Sequence, residues 1–526
     1  MPRSTFRAGL SLLCLALALS PRAAADPDPG TSFGDAALPV NLSGPVTLEG
    51  CVGLALGRNF TVRIQQFTVF EAMDSVEVQK AAFEPDFNFN ANKQFAFQPA
   101  NEVQSSTPGS TAPTGAPGQQ GGTVTYFTSP TTTTLETAAF TVNDTLITGG
   151  TVTAGYTLVR ADYDPVFTLP NPSFSGTASI SVTQPLLQGA GTDYNRAAIE
   201  SARLGVRISN LNFKSTILTM VLNVETTYYN LLYQRGQYKV QEEELKQAQQ
   251  LLDENTIRRQ TGVLTDLDVM NARAGVASAQ NLLILDRQAV HNSEDSLLQL
   301  LGDREFSSSV GDVQFPQEPQ SEVSFARSYK LARDNGPNLA VAQATIDQFK
   351  LAALKAKRNT LPELNVNGGL AYSSYAPSVS QSITGNWNGY NWTGGLTLNI
   401  PWGMHANRAL YHEALSQVRS QEVAYDQADQ MLVVSVRAAI RGVETSVESV
   451  RSSAENTQYA AKAYELTKAQ FDAGLATSYL VLQAQNTLET ARVSELQAKV
   501  SLLLANANLR FLEGSSLQLY RINLPE

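Results

Sequence analysis

The feature that most constrains this chain is an internal duplication. Gly262-Val263-Leu264-Thr265 through Asp268-Val269-Met270-Asn271-Ala272 aligns, 212 residues downstream, with Gly474-Leu475-Ala476-Thr477 through Leu480-Val481-Leu482-Gln483-Ala484. The same offset pairs Asn195-Arg196-Ala197 with Asn407-Arg408-Ala409, and Gly302 with Gly514. Nearer the N-terminus the offset grows to 277 residues, setting Leu54-Ala55 on Leu331-Ala332 and Pro85 on Pro362. Self-similarity at a fixed offset means two copies of one structural unit. The first copy is longer by 65 residues, nearly all between Pro85 and Pro185. That surplus contains Gln104 to Thr134, whose Ser, Thr, Gly, Pro and Gln content predicts a flexible exposed loop.

Each copy holds two segments of strict alternation, the period of a strand with unlike faces. In 86–97, Phe87, Phe89, Ala91, Phe95 and Phe97 oppose Asn88, Asn90, Asn92 and Gln94. In 174–183, Phe174, Ala178, Ile180 and Val182 oppose Ser175, Thr177, Ser179 and Ser181. The second copy sets Leu364, Val366, Leu370 and Tyr372 against Asn365 and Asn367, then Tyr390, Trp392, Leu396 and Leu398 against Asn391, Thr393 and Thr397. Strands of about ten residues cross a bilayer at a tilt. A soluble sandwich has the same period, but polar faces of Asn, Ser and Thr with few charges favour the membrane. Four strands cannot close a barrel without bare edges in lipid, so several copies must share one.

Behind each second strand come a proline (Pro185, Pro401), a glycine (Gly189, Gly403) and a long helical pattern running to Gly262 or Gly474. At 1.5 Å per residue such helices reach roughly 110 Å, too long for one globular domain. Alanines at core-like spacings, Ala248, Ala272 and Ala279 and then Ala460, Ala461, Ala484 and Ala491, permit close helix approach. Gly262 and Gly474 are read as turns from which return helices run to Gly302 and Gly514.

Residues 1–25 have the layout of a secretory signal: Arg3 and Arg7, an apolar run from Ala8 to Leu19, then Ala23-Ala24-Ala25. Cys14 lies inside that run behind Ser11-Leu12-Leu13, so it is not expected to carry a lipid. Cys51 sits among Leu48, Val52, Ala55 and Leu56 and reads as a buried, inert thiol. Beyond the signal no stretch is apolar enough for a membrane-spanning helix. A net charge of −10 disfavours nucleic acid as a partner.

Materials for chemistry are scarce. His405 and His412 could share a helix face but lack further ligands, so no metal site is expected. Asp266 and Asp268 point to different helix faces without a third group, and Tyr228 and Tyr229 read as helix packing. No phosphate-binding glycine loop, nucleophile elbow or zinc spacing is present. Neither catalytic residues nor a cofactor are expected, and the chain is read as not an enzyme.

Strand pairs followed by long helical hairpins, twice per chain and behind a secretory signal, resemble the TolC-like outer-membrane efflux proteins. The resemblance runs from Leu48-Glu49 and Leu54-Ala55-Leu56 to Leu512-Glu513-Gly514, and its most specific pieces are the two turn segments. It implies an α+β membrane protein: a homotrimer whose chains give four strands each to a 12-stranded outer-membrane β-barrel, continuous with a long periplasmic α-helical barrel. The expected divisions are the signal (1–25), an N-terminal periplasmic helical segment (26–84), a first strand pair (85–187) with a long extracellular loop (98–173), and a first helical hairpin (188–302). A connector with a helix (303–361), a second strand pair (362–400), a second hairpin (401–514) and a C-terminal tail (515–526) follow.

The resemblance further implies a passive exit duct of a tripartite efflux or type I secretion system, energised indirectly by an inner-membrane pump. A periplasmic adaptor would dock on the helical tips, Gly262, Val263, Leu264 and Thr265 with Gly474, Leu475, Ala476 and Thr477. Well-known members carry acidic residues six and nine positions after the second glycine, ringing the closed periplasmic end. Here those positions are Leu480 and Gln483, and the first turn has Asp268 and Asn271 at the same steps, so an acidic constriction is not assumed. The alternative is a trimeric surface stalk without transport activity. The cargo is not written in the sequence.

Overall fold

The computed structural model describes residues 44, 46–100, 102–105, 124–127, 129–164, 169–303, 310–316, 323–385 and 387–522. The expected signal segment, Cys14 and the middle of the expected loop lie outside them.

Two short helices open the described chain, α1 (Leu48–Arg58) and α2 (Phe60–Ala81). Thr47 caps α1, its hydroxyl accepting from the Gly50 N–H at 3.3 Å. Eight strands follow in two groups: β1 (Asp86–Gln98), β2 (Glu102–Ser105), β3 (Val124–Phe127), β4 (Thr131–Thr145), β5 (Thr151–Asp164) and β6 (Ser173–Pro185), then, after the first hairpin, β7 (Glu363–Ala376) and β8 (Gly389–Asn399). The first hairpin is α3 (Thr192–Gln260) and α4 (Asp266–Leu300). The connector is α5 (Phe325–Asn335) and α6 (Pro337–Arg358), and α7 (Val379–Thr384) sits between β7 and β8. The second hairpin is α8 (His405–Asp472) and α9 (Ser478–Glu513), followed by the single-turn α10 (Ser516–Leu519). No described helix is long and apolar enough to cross a membrane.

One antiparallel sheet runs in the order β1-β4-β5-β6-β7-β8, with β2 and β3 as a separate pair. This corrects the expectation of four strands per chain. β1, β6, β7 and β8 are the four anticipated strands, but the interval 98–173 is not simply a loop. Thr131 to Asp164 fold as a hairpin inserted between β1 and β6, its turn closed by the Leu146 N–H on the Gly150 carbonyl at 2.7 Å. The physical reason lies in Thr151 to Leu158, where Val152, Ala154, Tyr156 and Leu158 alternate with Thr151, Thr153, Gly155 and Thr157. At the ends of the supposed flexible stretch, Gln104 and Ser105 pair with Thr125 and Val124, and Thr131 to Thr134 belong to β4.

The register gathers most of the large apolar side chains on one face. Across one row Phe89 of β1 opposes Phe140 of β4, which opposes Tyr156 of β5, then Ala178, Tyr372 and Tyr390. The next row aligns Phe87, Val142, Ala154, Ile180, Leu370 and Trp392. Trp392 and Leu396 are each 72% exposed, so this broad apolar face is uncovered in the single chain. The other face carries Asn, Ser and Thr. Among the described residues β1 and β8 each have a strand partner on one side only.

Contacts divide the chain into two compact units: residues 1–60, 223–319 and 452–500, and residues 61–222, 320–451 and 501–526. The second holds the sheet. Its helical core gathers Ala332 of α5, Val436, Ala439, Ile440 and Val443 of α8, and Leu509 of α9. Asn407, the counterpart of Asn195, donates from Nδ2 to the Asn359 carbonyl at 2.8 Å. Asn195 reaches the Gly189 and Gly191 carbonyls at 2.9 Å, fixing the entry to α3.

The first unit holds the hairpin turns and packs Leu251, Phe471 and Val481 in one cluster and Ala460, Leu488 and Ala491 in another. Cys51 is 1% exposed, and burial pushes its thiol up to about 11, the inert state expected of it. Tyr228 and Tyr229 are buried edge to face, with the Tyr228 hydroxyl 2.9 Å from the Val46 carbonyl.

Candidate functional site

The site expected from sequence is the pair of turns, and both lie in the first unit. Helix α3 ends when Gly262 enters the left-handed region at φ +79°. The Gly262 N–H donates to the Arg259 carbonyl and the Val263 N–H to the Arg258 carbonyl, both at 2.9 Å. Helix α8 ends the same way. Gly474 has φ +76°, its N–H reaches the Phe471 carbonyl at 3.0 Å, and the Leu475 N–H reaches the Gln470 carbonyl at 2.8 Å. These are two Schellman endings, each needing a residue without Cβ for conformational reasons. Nothing lies within 4 Å of where a Cβ would sit at either glycine.

The return helices start differently. Thr265 caps α4 in a capping box: its hydroxyl accepts from the Asp268 N–H at 3.3 Å, and the Asp268 carboxylate accepts from the Thr265 N–H at 3.1 Å. In the second copy the position of Asp268 is Leu480, so no such box forms there. Instead Ser478, the counterpart of Asp266, donates its hydroxyl to the other Asp268 oxygen at 3.0 Å. One carboxylate thus braces both turns. The Thr265 hydrogen bonds, with help from Ser478, hold the Asp268 carboxyl below the usual carboxylate range.

Of the four residues expected at a constriction, Asp268 is committed to this brace. Asn271 is half-buried on α4, while Leu480 and Gln483 are exposed on α9. Val263 and Leu475 at the turns, at 69% and 82%, are among the most exposed apolar side chains, with Leu267, Met270 and Tyr479 beside them. The tips therefore present apolar surface on turns that are hydrogen-bonded to one another.

Arg258 was not anticipated. Its guanidinium lies 4.3 Å over the Phe471 ring and donates to the Phe471 carbonyl at 2.9 Å and to Asp472 at 2.8 Å, clamping one hairpin turn to the other. The signal was present in a break of the duplication, since the matching position in the second copy is Gln470. Arg259 pairs with Asp266 beside it. Also unanticipated is a set of buried acids on the same hairpins. Burial, then the nearby Glu489 charge, raises Glu244 to about 7 against the pull of Arg492. Glu489 and Asp286 are raised chiefly by burial as well.

His405 and His412 are exposed on α8. Among the described residues no three His, Cys, Asp or Glu side chains gather as metal ligands.

A sheet with one broad, mainly apolar face and two long helical hairpins in the same chain fit one class, the channel-forming proteins of the outer membrane. The sequence profile of the outer membrane efflux protein family matches residues 148–303 and 328–515. The chain belongs to that family, and its place is the bacterial outer membrane. It is 24% identical over 368 residues to the outer membrane protein TolC of Vibrio cholerae, covering 68% of this chain and 80% of that one. It is 25% identical over 332 residues to the pyoverdine export outer membrane protein OpmQ of Pseudomonas putida, covering 58% and 66%. The crystal structure of the Campylobacter jejuni CmeC outer membrane channel superposes with a TM-score of 0.64 at 15% identity, covering 91% of this chain and 90% of that one.

Proposed function

We propose that the chain is the passive exit duct of a tripartite export assembly, acting as a homotrimer. Its two hairpin turns receive a periplasmic adaptor that connects it to an inner-membrane pump. The observation that carries this reading is the pair of turns. Two like Schellman endings present Gly262 to Thr265 and Gly474 to Thr477, and the Asp268 brace and the Arg258 clamp hold them to one another. Rigid backbone with exposed Val263 and Leu475 suits a partner's apolar knobs, because little order has to be created on binding. The duct does no chemistry, and the energy for transport comes from the pump.

On this reading Leu480 and Gln483 leave the periplasmic constriction without the carboxylates of well-known relatives, and Asp268 is the one carboxylate among the four expected positions, tied into the turn by Thr265 and Ser478. Divalent cations are expected to block the channel weakly. The docking test places a photo-reactive residue at Val263 or Leu475 in the native host. The expected product is a cross-link to the adaptor of an export system. Cross-linking there only to copies of the chain itself would overturn the assignment.

A further inference from the structure

The β4–β5 hairpin is the part of the sheet that the duplication does not explain, since among the described residues the second copy has the short helix α7 and no strands in its place. It nevertheless continues both faces of the sheet. Ala138 and Leu158 follow Ala91 on the apolar face, while Ala139 and Thr157 stand with Asn90 on the other. One row beyond Ala91 the apolar face is crossed by charges, with exposed Phe95 and Phe97 of β1 beyond them: Lys93 meets Glu136 at 2.8 Å, Arg160 meets Glu136 at 3.0 Å, and Arg160 meets Asp162 at 3.3 Å. Charges on a lipid-facing surface are costly at the bilayer midplane and nearly free at the interface, so this band of charges and aromatic rings marks a headgroup boundary, drawn in part by the hairpin's own Glu136 and Arg160 and, one row on, Asp162.

The register adds a geometric argument. Followed pair by pair, Asp86 at the foot of β1 is level with Asn143, Thr153, Ser181, Gly369 and finally Thr393. Thr393 is six residues short of Asn399, the foot of β8. The feet between them step the same way, Thr151 of β5 level with Gly395 and Pro185 of β6 level with Thr397. Six residues at about 3.4 Å over five strand intervals of about 4.8 Å give a tilt of about 40°. Barrel closure needs a tilt of that size. The strands alternate in direction, so β1 and β8 run antiparallel, and β8 of one copy can pair with β1 of the next with Asn399 near Asp86 and Thr397 near Asn88.

We propose that β4 and β5 are strands of the barrel wall. Each chain then contributes six strands, and three copies close an 18-stranded barrel through β8 and β1 edges; the copy number rests on the homotrimer of the reading above. The backbone radius is then about 18 Å, against about 12 Å for 12 strands of the same spacing and tilt. The unpaired edges find their partner in a second copy of this chain.

The experiment uses the full-length protein in lipid vesicles, in a Cys14→Ala and Cys51→Ala background, with single variants Ala138→Cys, Ala139→Cys, Ala154→Cys and Thr153→Cys that keep the parent's thermal unfolding. Spin labels at 138 and 154 are expected to be reached by oxygen dissolved in lipid and shielded from a water-soluble relaxation agent, with the reverse at 139 and 153. In the same background, Asn88→Cys combined with Thr397→Cys is expected to give disulfide-linked species between copies. Water access at all four hairpin positions, with the 88–397 link intact, would overturn the wall strands and leave the exit duct standing. Alternating access without any link, from Asn88→Cys combined with Gly395→Cys, Thr397→Cys or Asn399→Cys, would overturn the shared barrel and with it the trimeric duct.

Discussion

At the scale of single residues, the turns depend on two glycines and one carboxylate. Gly262 and Gly474 sit at φ +79° and +76° with open space around the absent Cβ, so the penalty for substitution is conformational rather than steric. A side chain forced into the left-handed region costs about 1–2 kcal/mol. Gly262→Val and Gly474→Val are therefore expected to lose the adaptor cross-link while trimers still reach the outer membrane, and fractionated membranes probed for both products check this. Asp268→Ala removes the α4 cap and the Ser478 tie together, for about 1–2 kcal/mol. Hydrogen exchange is expected to quicken at the starts of both α4 and α9, whereas a cap acting alone would change only α4.

Glu244 gives a pH dependence whose sign is fixed. Its folded value, about 7, lies above its unfolded one, so between roughly pH 4.5 and 7 the folded state binds more protons than the unfolded. Stability of the helical hairpins is expected to fall as pH rises through that window. Glu244→Gln should flatten the fall, with the larger gain at pH 8, as read by thermal unfolding monitored by circular dichroism.

Among the elements, α8 and α9 pack through small residues. Ala491 is 2% exposed against Ala460 and Leu488, and the Thr457 hydroxyl lies 3.1 Å from the Ala491 carbonyl. Ala491→Leu overfills this contact and should cost about 1–3 kcal/mol, lowering the helical unfolding temperature, whereas the same change at exposed Gln483 should do little. The element scale is also where reading the sequence succeeded and fell short. β1, β6, β7 and β8 were legible because apolar and Asn, Ser or Thr residues alternate cleanly in all four. The turn glycines were legible because the duplication repeats them. The β4–β5 hairpin was hidden by that same comparison, which turned everything without a counterpart into a loop. β4 also blurs its own alternation, with Leu135 and Ala139 on the polar face and Glu136 on the apolar one. The Arg258 clamp and the Ser478–Asp268 tie join residues more than 200 positions apart, and no local pattern announces such pairs.

For the whole molecule, the sheet and the hairpins impose one requirement from two directions. Among the described residues the tilted antiparallel sheet leaves β1 and β8 paired on one side only and its apolar face exposed, and on the proposed reading copies of the chain close it in lipid. On the proposed reading a periplasmic partner covers the apolar, braced hairpin tips. A duct open at the membrane and docked at its tips satisfies both. The most direct measurement of this account is made on the purified full-length protein: mass in detergent by light scattering, then current through the same particles in a planar bilayer. The account predicts particles of three copies that carry a steady ionic current, and that keep it in the Gly262→Val and Gly474→Val variants. A stable monomer, or trimers that insert and carry no current, would contradict it.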